Sequence, residues 1–99
     1  MLNHDPKQAV ATQLKALTYQ MVRAVVDNPD RVQVEDVGDA ALIFLELEVA
    51  PGDIGRVIGK KGRVINAMRI LLRASAAQAG QRVRLEIVET KPDQPAKTR

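Results

Sequence analysis

The chain has 99 residues, 45% hydrophobic and 27% charged, with a formal net charge of +3. That length fits one domain with a modest core. The lack of cysteine excludes disulfides and thiolate metal sites, and no apolar run approaches the roughly 20 residues of a membrane span.

At the N-terminus, Leu2-Asn3-His4-Asp5-Pro6-Lys7 is polar. No signal peptide is expected there, and a cytoplasmic location follows by elimination. His4 is the only histidine and sits where a chain end is usually loose, so histidine-based catalysis is not expected. Asp5 and Pro6 make a good helix start, as N-cap and first helical residue. Val10, Leu14, Leu17, Met21 and Val25 then recur at helical spacing, with Val22 widening the stripe. Lys15 and Arg23 are expected to face water. Pro29 disfavours a helical residue before it, so the helix is expected to stop near Asp27-Asn28.

Arg31-Val32-Gln33-Val34-Glu35 alternates apolar and polar residues, which predicts a half-buried strand. Gly38-Asp39 supplies a turn. A second strand is expected from Ala41 to Val49, with Ile43, Leu45, Leu47 and Val49 on one face and Phe44, Glu46 and Glu48 on the other. The short link predicts an antiparallel hairpin. Pro51-Gly52-Asp53 breaks the strand, and Asp53 is placed to cap a short helix. A longer helix is expected from Arg63 to Ala79, ended by Gly80 at C′. A last strand follows over Arg82–Glu89, with Val83, Leu85 and Ile87 on one face. The tail from residue 90 has two prolines and no apolar run, so it is expected to be disordered.

The charge is segregated. Residues 54 to 85 hold 8 of the 15 basic residues and none of the 12 acidic ones, leaving 7 basic against 12 acidic elsewhere, a net of −5. Such a chain has a preferred face for a polyanion. Inside that window, Ile54-Gly55-Arg56-Val57-Ile58-Gly59-Lys60-Lys61-Gly62-Arg63-Val64-Ile65 reads as short helix, tight turn and start of a long helix. The two turn glycines let backbone approach a ligand, two lysines sit at the tip, and the following helix presents unpaired N–H groups and a positive dipole end. The combination favours a phosphate. A helix hairpin with merely solvated lysines is the alternative. No Gly-x-x-x-x-Gly-Lys-Ser/Thr or Gly-x-Gly-x-x-Gly occurs, and the chain is short for an NTPase.

The wider pattern Val57-Ile58-Gly59-x-x-Gly62-x-x-Ile65 resembles the KH signature. The predicted order, helix-strand-strand-helix-helix-strand, is that of the type II (prokaryotic) KH fold, an α+β architecture with a three-stranded sheet covered by three helices. The resemblance covers residues 5 to 89, so residues 1–89 are expected to form a single KH domain. With one KH unit, and through the stretch Val49–Arg63, the chain resembles the small bacterial single-KH RNA-binding proteins of the KhpA type.

What the resemblance implies is a clamp on about four single-stranded nucleotides. The site would comprise Ile54, Arg56, Val57, Ile58, Gly59, Lys60, Lys61, Gly62, Arg63, Ile65, Asn66 and Arg69. The apolar members Ile54, Val57, Ile58 and Ile65 are either groove floor or plain core. Tyr19 and Phe44 are the only aromatics and neither is near the turn, so bases are not expected to stack on aromatic rings. The resemblance also implies single-stranded RNA as partner, a role as RNA chaperone or post-transcriptional regulator, and a homodimer or a heterodimer with a larger KH-containing RNA-binding protein. The broad apolar stripe of the second long helix is a candidate pairing surface, with its burial inside the monomer the favoured alternative. The competing function is an interaction module in which RNA contact is secondary. No Ser-His, Cys-His, paired-carboxylate or metal-ligand cluster supports an enzyme, and no cofactor, metal, membrane or small-molecule substrate is expected.

Overall fold

The computed structural model describes residues 6–88. Helix α1 spans Pro6–Arg23, strand β1 Gln33–Asp36, β2 Ile43–Glu48, helix α2 Ile54–Ile58, α3 Arg63–Gln78 and strand β3 Val83–Ile87. Single 3₁₀ turns occupy Pro29–Arg31, Pro51–Asp53 and Lys60–Gly62. The expected α+β order holds throughout. The expected Asp5 cap, Glu89 and the tail from residue 90 lie outside the described residues.

The sheet order is β1-β2-β3, with β1 antiparallel and β3 parallel to β2. The register aligns Val34 with Leu47 and Leu47 with Ile87, then Leu45 with Leu85 and Ile43 with Val83. Period-two alternation therefore puts one apolar row after another on a single face. Ile43, Leu45 and Leu47 are fully buried there, each contributing about 1.5–3 kcal/mol. Helices α1 and α3 cover this face, and α2 packs on α3. The opposite face carries Glu35, Glu46 and Glu86 in one cross-strand row. The strands are shorter than the sequence pattern. Arg31 is taken into the Pro29–Arg31 turn, and the Ala41 N–H donates to the Asp39 carboxylate rather than to the ladder.

Two differences in α1 have clear causes. Its buried residues are Ala11, Leu14, Thr18 and Val22, whereas Leu17 and Val25 are exposed. The buried stripe includes a threonine because its hydroxyl donates to the Leu14 carbonyl at 2.8 Å, which satisfies it locally. The helix also stops at Arg23, short of Asp27. The Asp27 and Asn28 N–H groups donate instead to the Asp53 carboxylate, each at 3.0 Å, and the Asn28 carboxamide adds a third bond at 3.1 Å. Asp53 is thus not a side-chain cap of α2 but a tie between two chain segments. Burial pushes its carboxyl up, but these three hydrogen bonds and the nearby Arg56 outweigh burial and hold it below the ordinary value. At the other end, Gly80 has φ +71° and α3 closes with a Schellman pair, Gln81 N–H to Ala76 carbonyl and Gly80 N–H to Ala77 carbonyl.

Candidate nucleic-acid interface

The turn between α2 and α3 is built on three backbone anomalies within four residues. Gly59 has φ +78°, ψ 173°, a conformation open essentially to glycine alone. A Cβ there would also collide with the Val64 side chain and lie 2.9 Å from the Val64 nitrogen. Lys61 adopts φ +56°, ψ 26°, and Gly62 φ +75°, ψ 16°, both left-handed. Gly59 N–H donates to the Gly55 carbonyl at 2.8 Å, and Gly62 N–H to the Gly59 carbonyl at 3.0 Å. The backbone is therefore locked into a hook with the Lys60 and Lys61 side chains outward. Both lysines and Arg63 are exposed, and among the described residues no ion pair engages any of the three. No side chain caps the start of α3, so its positive end and three free cations face the same solvent.

The other candidate residues divide by burial and pairing. Val57 is 0% and Ile65 4% exposed, and both belong to the hydrophobic core. They pack α2 against α3. Ile58 is 39% exposed and Ile54 is half-buried, so these two form the aliphatic surface beside the turn. Asn66 is exposed one helical turn into α3, with its carboxamide nitrogen 3.4 Å from where a Gly62 Cβ would stand. Arg56 reaches Asp27 at 3.1 Å and braces α2 against the corner that Asp53 ties. Arg69 is turned to β3, where its Nε donates to the Leu85 carbonyl at 3.1 Å and its Nη2 lies 3.4 Å from Glu86. Ile54, Ile58, the turn, Arg63 and Asn66 thus lie around the start of α3, while Arg56 and Arg69 also make contacts within the fold.

Three arginines outside the motif join this acid-free region, Arg73 from the far half of α3, Arg82 from the loop before β3 and Arg84 from β3. Only their membership of the acid-free window marks them in the sequence. Ile70 and Leu71 stand out differently. They are 60% and 53% exposed on α3, an apolar pair left uncovered by the monomer. Among the described residues there is no helix long and apolar enough to cross a membrane, and no cluster of three or more potential metal ligands.

The sequence profile of the KhpA/KhpB KH domain matches residues 15–87. Among curated relatives, the RNA-binding protein KhpA of Clostridium acetobutylicum is 44% identical over 76% of this chain and 100% of its own length. The KhpA of Chlamydia pneumoniae is 41% identical over 79% of this chain and all of its own, and that of Aquifex aeolicus 40% over 77% and 96%. Fold, turn and sequence similarity converge, and the chain belongs to the KhpA/KhpB KH-domain family.

Proposed function

We propose that this chain is a non-catalytic RNA-binding protein that holds a short single-stranded RNA. The backbone would lie on the Gly59–Gly62 turn, with bases against Ile54 and Ile58, in an RNA-chaperone or post-transcriptional regulatory role. One observation carries the reading: a glycine-locked turn that points Lys60, Lys61 and Arg63, none of them ion-paired among the described residues, past the uncapped start of α3. That the relatives are named RNA-binding proteins supports it. Phosphate oxygens are the acceptors that free ammonium groups and helix N–H groups share. Affinity should be modest, since few phosphates and few bases offset the cost of association.

The test is fluorescence anisotropy with a pool of short single-stranded RNAs at two salt concentrations. Wild type is compared with Lys60→Asp/Lys61→Asp after circular dichroism shows both folded. Wild type should bind and weaken with salt, and the variant should lose binding. Equal binding by the two proteins would remove the turn as the site.

A second reading is favoured by Ile70 and Leu71. Two large apolar side chains exposed side by side on α3 fit a pairing surface for a second KH unit, either another copy or a larger KH-containing RNA-binding protein. Pairing would raise the affinity of a weak single unit through effective concentration.

A further inference from the structure

Beyond the turn, α3 and β3 enclose two adjoining hollows. The nearer, about 270 Å³, lies between Arg69, Leu72 and Leu85. The farther, about 450 Å³, has Leu42, Ala77 and Val83 as its floor and Arg73, Arg82 and Arg84 as its rim. Arg73, Val83 and Arg84 border both, so the two form one trough along α3. We infer that the farther hollow is a second contact for single-stranded RNA, which extends the footprint well past the nucleotides held at the turn. The inference rests on the RNA-binding reading and adds a site to it.

Charge selects the occupant. Arg73 and Arg82 are exposed, and among the described residues neither has an ion pair. Arg84 is held in place by Glu86 at 3.1 Å and lies over the Phe44 ring at 5.6 Å. No acidic residue occurs from 54 to 85, and Glu86 is already engaged by Arg69 and Arg84. An apolar floor with a guanidinium rim suits a base below and phosphates above, since guanidinium planes both stack on bases and grip phosphate oxygens.

Length follows from the helix. Arg73 lies ten residues beyond Arg63 on α3, which is about 15 Å at 1.5 Å per residue. At a stacked spacing of about 3.4 Å per nucleotide, a strand crosses that span in about four more nucleotides. A pentamer can fill the turn but not both sites; a decamer can fill both.

The experiment measures anisotropy of fluorescein-labelled oligouridine of five and ten nucleotides at several salt concentrations. Wild type is compared with Arg73→Gln/Arg82→Gln, with folding checked by circular dichroism. Longer strands also offer more registers to a short site, but that gain is common to both proteins. The expected result is a decamer affinity at least about fivefold weaker in the variant, consistent with the loss of one good base contact. The decamer salt slope should fall by about 1.4, the value for two phosphate contacts. Pentamer affinity should stay within twofold. Equal decamer binding by the two proteins overturns the inference, as does an equal loss on pentamer and decamer, which would make the arginines part of one short site or of a general field. Failure of wild type to bind either oligomer would instead overturn the RNA-binding reading itself, and this inference with it.

Discussion

Replacing Gly59 by alanine should destabilise the domain much more than replacing Gly62, although both are turn glycines with positive φ. At Gly59 two costs combine. The backbone at φ +78°, ψ 173° is nearly closed to other residues, a strain of about 1–3 kcal/mol. The new methyl also has no room, because the Val64 side chain and nitrogen occupy its place, and such overpacking costs about 1–3 kcal/mol. The sum, about 2–6 kcal/mol, is a large part of the 5–15 kcal/mol typical of a domain. At Gly62 the backbone is ordinary left-handed helix and the nearest atom to a Cβ is the Asn66 nitrogen at 3.4 Å. Only about 1–2 kcal/mol is then expected. Thermal unfolding followed at 222 nm separates the two cases, since 1 kcal/mol shifts Tm by about 4–8 °C in a domain of this size. Gly59→Ala should lower Tm by at least about 8 °C and Gly62→Ala by about half as much or less. A Gly59→Ala protein as stable as Gly62→Ala would refute the reasoning, because it would mean that Val64 yields and the turn is not locked.

Asp53 makes stability depend on acid. Its folded pKa is lowered, so its contribution is complete above the reference value of 3.8 and is lost as pH falls below it. Urea unfolding from pH 7 to 2.5 should show that loss in wild type, and Asp53→Asn should flatten it while lowering stability at pH 7; a variant with an unchanged acid limb would remove Asp53 from the account. Ile70→Glu/Leu71→Glu should lower the mass seen by light scattering after size exclusion if the α3 surface pairs two copies. Its stability should move by no more than about 0.5 kcal/mol per site, as for exposed positions. An unchanged dimeric mass would place the interface elsewhere, and a monomeric wild type would leave a different KH protein as the partner for that face.

Much of this fold is readable in the sequence where a single period governs. β2 alternates Ile43, Leu45 and Leu47 against Phe44, Glu46 and Glu48, and all three aliphatic residues are buried as the alternation requires. In α3, Ile65, Met68, Leu72 and Ala76 are buried as the helical period requires. The turn is readable because its two glycines both take positive φ and Gly59 is also a steric necessity. What escapes the pattern depends on partners distant in sequence. Thr18 is invisible as core because its hydroxyl is silenced by its own helix. Asp53 looks like a cap because its true partners lie 25 and 26 residues earlier. Arg69 looks like a free cation because the carbonyl that holds it is 16 residues away on β3. Val57 and Ile65 carry the same signature whether they line a groove or fill a core, and the sequence does not show that both are buried.

The central claim is that the Gly59–Gly62 turn is where RNA is held. A ¹⁵N-labelled sample titrated with a short single-stranded RNA and followed by two-dimensional NMR tests it residue by residue. The largest amide shifts should fall on Ile58 through Arg63 and on Asn66, with the outer-sheet residues Glu35, Glu46 and Glu48 unmoved. Shifts confined to the Ile70–Leu71 surface or to the outer sheet, with the turn silent, would contradict the account.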